Sequence, residues 1–156
     1  MKRSLNIRIL ALAISLLLGS LPVVAAERPF ALNGNGASTF ITDGAGNIIG
    51  ANVTASGTAT HLGMWTAVGT VQFTPDPNTG RLLSSGTATL TASNGDKLQF
   101  AVNGALDPAT GTDMGRLRFV GGTGRFDGVS GAGNFVVELN PGTGAFKLTA
   151  VATINF

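Results

Sequence analysis

Asn140-Pro141-Gly142-Thr143-Gly144-Ala145-Phe146-Lys147-Leu148-Thr149-Ala150-Val151-Ala152-Thr153-Ile154-Asn155-Phe156 decides the fold. Its first five residues are turn formers. The remainder alternates. Phe146, Leu148, Ala150, Ala152, Ile154 and Phe156 share one face, and Lys147, Thr149, Val151, Thr153 and Asn155 share the other. A period of two, with one apolar and one mostly polar face, specifies a half-buried strand.

The same turn chemistry recurs at Asp43-Gly44-Ala45-Gly46-Asn47, Asp76-Pro77-Asn78-Thr79-Gly80 and Asp107-Pro108-Ala109-Thr110-Gly111; the four first residues are 33, 31 and 33 apart. A second series lies between them: His61-Leu62-Gly63, Asn94-Gly95-Asp96 and Gly121-Gly122-Thr123-Gly124. Seven turns therefore separate eight segments of about ten residues, the length of ordinary strands. Alternate turns fall at opposite ends of such a chain. The order predicts an all-β fold: an eight-stranded antiparallel up-and-down β-barrel, closed so that no edge strand is left unpaired. Alternation supports it elsewhere. Leu98, Phe100 and Val102 oppose Lys97, Gln99 and Asn103; Leu117 and Phe119 oppose Arg116 and Arg118; Phe135, Val137 and Leu139 oppose Asn134 and Glu138. Trp65, Ala67, Val71 and Phe73, and then Leu82, Gly86, Ala88, Leu90 and Ala92, form two further apolar faces. The first strand is expected near 37–42 and the second near 48–60; both are less regular.

The N-terminal 26 residues read as a cleaved signal peptide. Lys2, Arg3 and Arg8 make a positive start, Ile9 to Leu18 is apolar, and Val24-Ala25-Ala26 supplies the small residues of a cleavage site. The remaining residues, 27–156, are one domain. Three of the ten basic residues lie in the leader, leaving seven against eight acidic residues, a net charge of −1. The high whole-chain pI of about 9.7 belongs largely to the leader. No basic field remains for nucleic acid. The chain has no cysteine, so stability rests on strand pairing and burial.

Few residues carry chemistry. Gly121-Gly122-Thr123-Gly124-Arg125-Phe126-Asp127-Gly128 lacks the third glycine of a dinucleotide fingerprint and the helix that would follow it. It reads as a wide turn at one barrel end, with Phe126 folded back as a plug. His61 is the only histidine and has no nucleophile paired with it in sequence. No His/Cys cluster implies a metal, and no cofactor is expected. Most carboxylates fall in turns, where they cap their own backbone. Glu138 lies on a polar face, and no carboxylate reads as buried enough to be a tuned acid or base. All nine Phe and the single Trp lie within 27–156. If the barrel is hollow, Trp65, Phe73, Phe100, Phe119, Phe135 and Phe146 line an apolar pocket for a small molecule. If it is filled, the same residues form a solid core. Small interior residues such as Ala88 and Ala150 fit either case.

The segment Leu117-Arg118-Phe119-Val120-Gly121-Gly122-Thr123-Gly124-Arg125-Phe126-Asp127-Gly128-Val129-Ser130-Gly131 resembles the signature turn of the allene oxide cyclase and dirigent barrel superfamily. Thr58-Ala59-Thr60-His61-Leu62-Gly63, Thr87-Ala88-Thr89 and Asn94-Gly95-Asp96 are similar to segments of small exported bacterial proteins that carry this barrel. The resemblance implies the eight-stranded barrel. It also implies activities that fold an apolar substrate into one shape: cyclisation of an unsaturated fatty-acid epoxide, guidance of phenoxy-radical coupling, and polyketide cyclisation. These work by orientation. The family enzymes add polar residues inside the barrel; the inner face expected here has almost none, so no catalytic residue is carried over.

The expectation is thus an exported, non-enzymatic barrel, periplasmic or extracellular, without stable membrane insertion. It binds a small apolar ligand or serves a structural envelope role. The first alternative is a cyclase or isomerase acting inside the barrel. The second is a small outer-membrane barrel, suggested by the alternation that ends at Phe156. The facing of Phe146, Leu148 and Ile154 separates the last reading from the others.

Overall fold

A computed structural model describes residues 26–156. The expected leader, 1–26, lies outside the described residues apart from Ala26. The strands are β1 (Arg28–Thr42), β2 (Ile48–Ala59), β3 (Gly63–Pro75), β4 (Leu82–Ala92), β5 (Lys97–Asp107), β6 (Thr112–Gly122), β7 (Ser130–Leu139) and β8 (Ala145–Asn155). One 3₁₀ turn, Gly124–Phe126, interrupts the connection from β6 to β7. Every strand pairs antiparallel with its sequence neighbours, and β1 pairs with β8, so the sheet closes. This is the expected meander.

The turns behave as their composition predicts. The Asp43 carboxylate accepts backbone N–H bonds from Ala45 and Asn47, each at 2.9 Å. Asp76 accepts from the Asn78 N–H at 3.0 Å and the Thr79 hydroxyl at 2.7 Å. Asp107 and Asn140 accept from Ala109 and Gly142 in the same way. These four turns sit together at one end of the barrel. The opposite end carries the turns at 60–62, 93–96 and 123–129.

The expectation for the first strand is corrected: β1 begins at Arg28, not near 37. Its N-terminal two-thirds pairs with β8, from Arg28 opposite Ile154 to Ala37 opposite Ala145. On its other edge the C-terminal eleven residues pair with β2, from Leu32 opposite Ala59 to Thr42 opposite Ile48. This offset is the stagger that a tilted barrel needs. Phe30, Leu32, Gly34, Gly36, Ser38 and Phe40 form the inner face. The two glycines disguise the alternation, and both are there for space. A Cβ on Gly34 would lie 2.6 Å from the Trp65 ring, and one on Gly36 would collide with the Phe146 ring. The second strand falls where expected.

Apolar residues on all eight strands face inward. Phe146 and Ile154 are buried, and Leu148 packs against the core they border. The end carrying the 3₁₀ turn is closed. Phe126, Leu98 and Ile154 are fully buried there, with Leu90 at 1% exposure. Phe126 packs edge-on against Phe156 at 5.1 Å, so the Gly-rich run does carry a plug. His61 adopts φ 68° at the β2–β3 turn. Its Nε2 lies 3.1 Å from the Pro29 carbonyl, and its ring lies against Phe156. Strands β2, β3 and β4 carry no charged residue. Their outward positions are mostly Thr, Ser, Asn and Gln, with Ile48 and Ile49 on β2, Met64 and Val68 on β3 and Leu83 on β4 the exposed large apolar exceptions.

Gly34→Ala tests the packing of β1. The added methyl meets both the Trp65 ring and the Ser56 carbonyl. Overpacking of this kind costs about 1–3 kcal/mol. Denaturant unfolding should show a lower midpoint with an unchanged slope; an unchanged midpoint would mean that the ring moves aside freely.

Candidate functional site

The barrel is neither solid nor widely hollow. Its core encloses a cavity of about 110 Å³. The small inward residues create it: Ala51, Val53 and Ala55 on β2, Ala67 on β3 and Ala88 on β4 oppose rings from the other strands. All six aromatic residues singled out in the sequence line it: Trp65, Phe73, Phe100, Phe119, Phe135 and Phe146. Phe30 and Phe40, on the strand that the sequence obscured, join them. Phe30 and Phe119 meet edge to face, with centroids 5.1 Å apart. Phe40, Phe73 and Leu139 are only half-buried, and they lie toward the end of the Asp-capped turns. The cavity therefore opens at that end and is stopped at the other by Phe126.

The expectation that no carboxylate is buried is overturned at Asp113. Its position on β6 shares the inner face with Gly115, Leu117 and Phe119, and its side chain is 9% exposed. It lines the cavity and, among the described residues, is the one charged group that does so. Ser84 on β4, 2% exposed, donates its hydroxyl to Asp113 Oδ1 at 2.8 Å. The bond spans the intervening strand β5, and Gly104 makes the passage. A Cβ there would lie 2.8 Å from both Asp113 Oδ1 and the tip of the Phe135 ring. Asp113 is flanked along the sheet by Leu106 on β5 and Val137 on β7. Burial among such neighbours raises the carboxyl above its ordinary 3.8, opposed by the Ser84 hydroxyl. The sequence signal was present. Stepping back by twos from Leu117 reaches 113, but Gly115 has no side chain to carry the pattern across. By contrast Asp43 and Asp76, hydrogen-bonded at exposed turns, are held below the ordinary value. Glu138 is exposed, as its polar face implies.

Chemically, the site is an apolar chamber with one acid, Asp113, backed by the Ser84 hydroxyl, and with Ser38 and Thr87 as the other polar residues on its wall. A group of that kind can anchor one polar atom of a ligand or hold a proton close to it.

No family profile matches the sequence, and no curated protein sequence does. Solved structures do match. The pterocarpan synthase dirigent protein PsPTS1 superposes with a TM-score of 0.56 at 14% identity, over 83% of this chain and 95% of that one. The pterocarpan synthase dirigent protein GePTS1 superposes with a TM-score of 0.55 at 12% identity, over 84% of this chain and 86% of that one. The class is therefore defined: this is an eight-stranded barrel with the dirigent fold. At such identities the likeness extends to the fold alone.

The buried acid predicts a pH dependence. The folded protein holds the Asp113 proton to a higher pH than the unfolded chain does. Stability therefore falls as pH rises from about 4, the unfolded value, through the raised folded value, and is level above it. Asp113→Asn keeps the shape and removes the titration. The variant should gain stability over the wild type across that window, read from thermal midpoints at successive pH values. A constant difference between the two proteins would refute the assignment.

Proposed function

We propose that this protein is an exported barrel that binds one small apolar molecule in its interior. The observation that carries the reading is the cavity: closed at one end, open at the other, and walled by aromatic and aliphatic side chains around a single acid. Its size bounds the ligand. An apolar cavity of about 150 Å³ takes up benzene. At about 110 Å³ the enclosed part takes slightly less than one ring, and a larger molecule projects toward the mouth. The inward facing of Phe146 and Ile154, with Thr, Ser, Asn and Gln outnumbering the exposed Ile48, Ile49, Met64, Val68 and Leu83 outside on the uncharged strands, favours a water-exposed wall over a lipid-facing one. Export rests on the leader, with the barrel released to the periplasm or the medium after cleavage behind Ala26.

A second reading gains from Asp113. A carboxyl whose affinity for a proton is raised inside an apolar chamber is suited to pass one to an alkene, epoxide or ketone held against it, which would make the barrel a cyclase or isomerase. In that case Asp113→Asn abolishes turnover while the ligand still binds.

Intact-mass measurement under native conditions tests the main reading, on protein released from its producing cells without detergent. The expected result is a polypeptide beginning at Glu27 with a small organic adduct. Ala88→Leu should remove the adduct by filling the cavity. An adduct retained at full occupancy in Ala88→Leu would place the ligand elsewhere.

A further inference from the structure

We infer that the ligand of this cavity is a small hydrophobic amine, with its ammonium group on Asp113 and its apolar body in the chamber. The inference rests on the binding reading above and adds the chemical class.

Among the described residues Asp113 is the only charged group on the cavity wall, and no Lys, Arg or His of theirs lines it. Its one hydrogen-bond partner among the described residues is the Ser84 hydroxyl on Oδ1. The ion pair found among these residues, Arg125 with Asp96, lies on the connection that stops the far end. The acid is thus held ready without a counter-charge, with Oδ2 left for a partner. Anionic ligands meet no basic group and are repelled by the carboxylate. A neutral acceptor gains one ordinary hydrogen bond, whereas an ammonium gains a charge-assisted one and neutralises the site. Phe135 presents the tip of its ring, not its face, on the Oδ1 side of the acid, so the attraction for an ammonium comes from the carboxylate itself. The position fits the shape of such a ligand. Asp113 is one residue inside β6 from the turn end, so the head group rests near water while the apolar part goes inward. A head so placed loses less hydration than one buried at the centre.

The inward neighbours of Asp113 are Leu82 and Ser84 on β4, Gly104 and Leu106 on β5, and Phe135 and Val137 on β7. None titrates, so a pH dependence of amine affinity at neutral pH and below reports Asp113 itself.

The test compares benzylamine, benzyl alcohol and toluene, three probes of nearly equal shape, by titration calorimetry against wild type and Asp113→Asn. Benzylamine should bind the wild type at least about tenfold more tightly than benzyl alcohol. Its affinity should weaken as the pH is lowered through the titration of the acid, while that of toluene stays constant. Asp113→Asn should erase the preference for benzylamine over benzyl alcohol. Should that variant fold poorly, the pH series on the wild type decides alone. Benzyl alcohol binding as tightly as benzylamine would overturn the amine assignment and leave the apolar cavity standing. Failure of all three probes, toluene included, would overturn the binding reading itself.

Discussion

Space at the barrel axis is the constraint on which this structure depends. Eight strands enclose little more than their own side chains, so a ring on one strand requires a vacancy on another. Trp65 reaches from β3 to the position of Gly34 on β1, and Phe146 from β8 to that of Gly36. The same exchange is repeated at Gly104, where the missing side chain admits the tip of Phe135 and the Ser84–Asp113 bond together. Glycine in a strand ordinarily weakens it. Here each of the three occupies the place where another residue's bulk has to go.

The cavity is what this exchange leaves uncompensated. On β2 the inner face runs Ala51, Val53, Ala55, Gly57 and Ala59, and nothing opposite fully replaces the volume. Near the closed end the packing is complete, because Phe126, Leu62, Leu98 and Ile154 converge on one small region. Toward the capped turns it is not, and the half-buried rings of Phe40 and Phe73 stand around an opening. A chamber that is dry at one end and open at the other raises the carboxyl at Asp113 without severing it from solvent. That placement lets an acid bind or transfer a proton rather than only stabilise a fold.

Much of this was legible in the sequence, and the exceptions have one cause. The strand order, the two sets of turns, the plug at Phe126 and the six lining rings all follow from period-two patterning and turn chemistry. The first nine residues of β1 do not, because Asn33-Gly34-Asn35-Gly36 imitates a loop unless the rings that fill Gly34 and Gly36 are known. Those rings come from strands about 30 and 110 residues further along the chain. Asp113 was hidden in the same way: Gly115 breaks the visible alternation between it and Leu117. Ser84 reads as one more hydroxyl in a Ser/Thr-rich strand until the barrel brings it across from β6. In each case the missing information is a contact between strands that are not sequence neighbours.

The pairing of β1 with β8 has a consequence for the life of the chain before it folds. The closing seam joins Arg28 to Ile154, so its contacts span nearly the whole barrel in sequence, and loop-closure entropy makes such contacts slow to form. Until the last strand is synthesised, β1 has no second partner and the sheet remains an open, edge-exposed meander. The topology that seals the finished barrel therefore also postpones its folding until the whole chain is available.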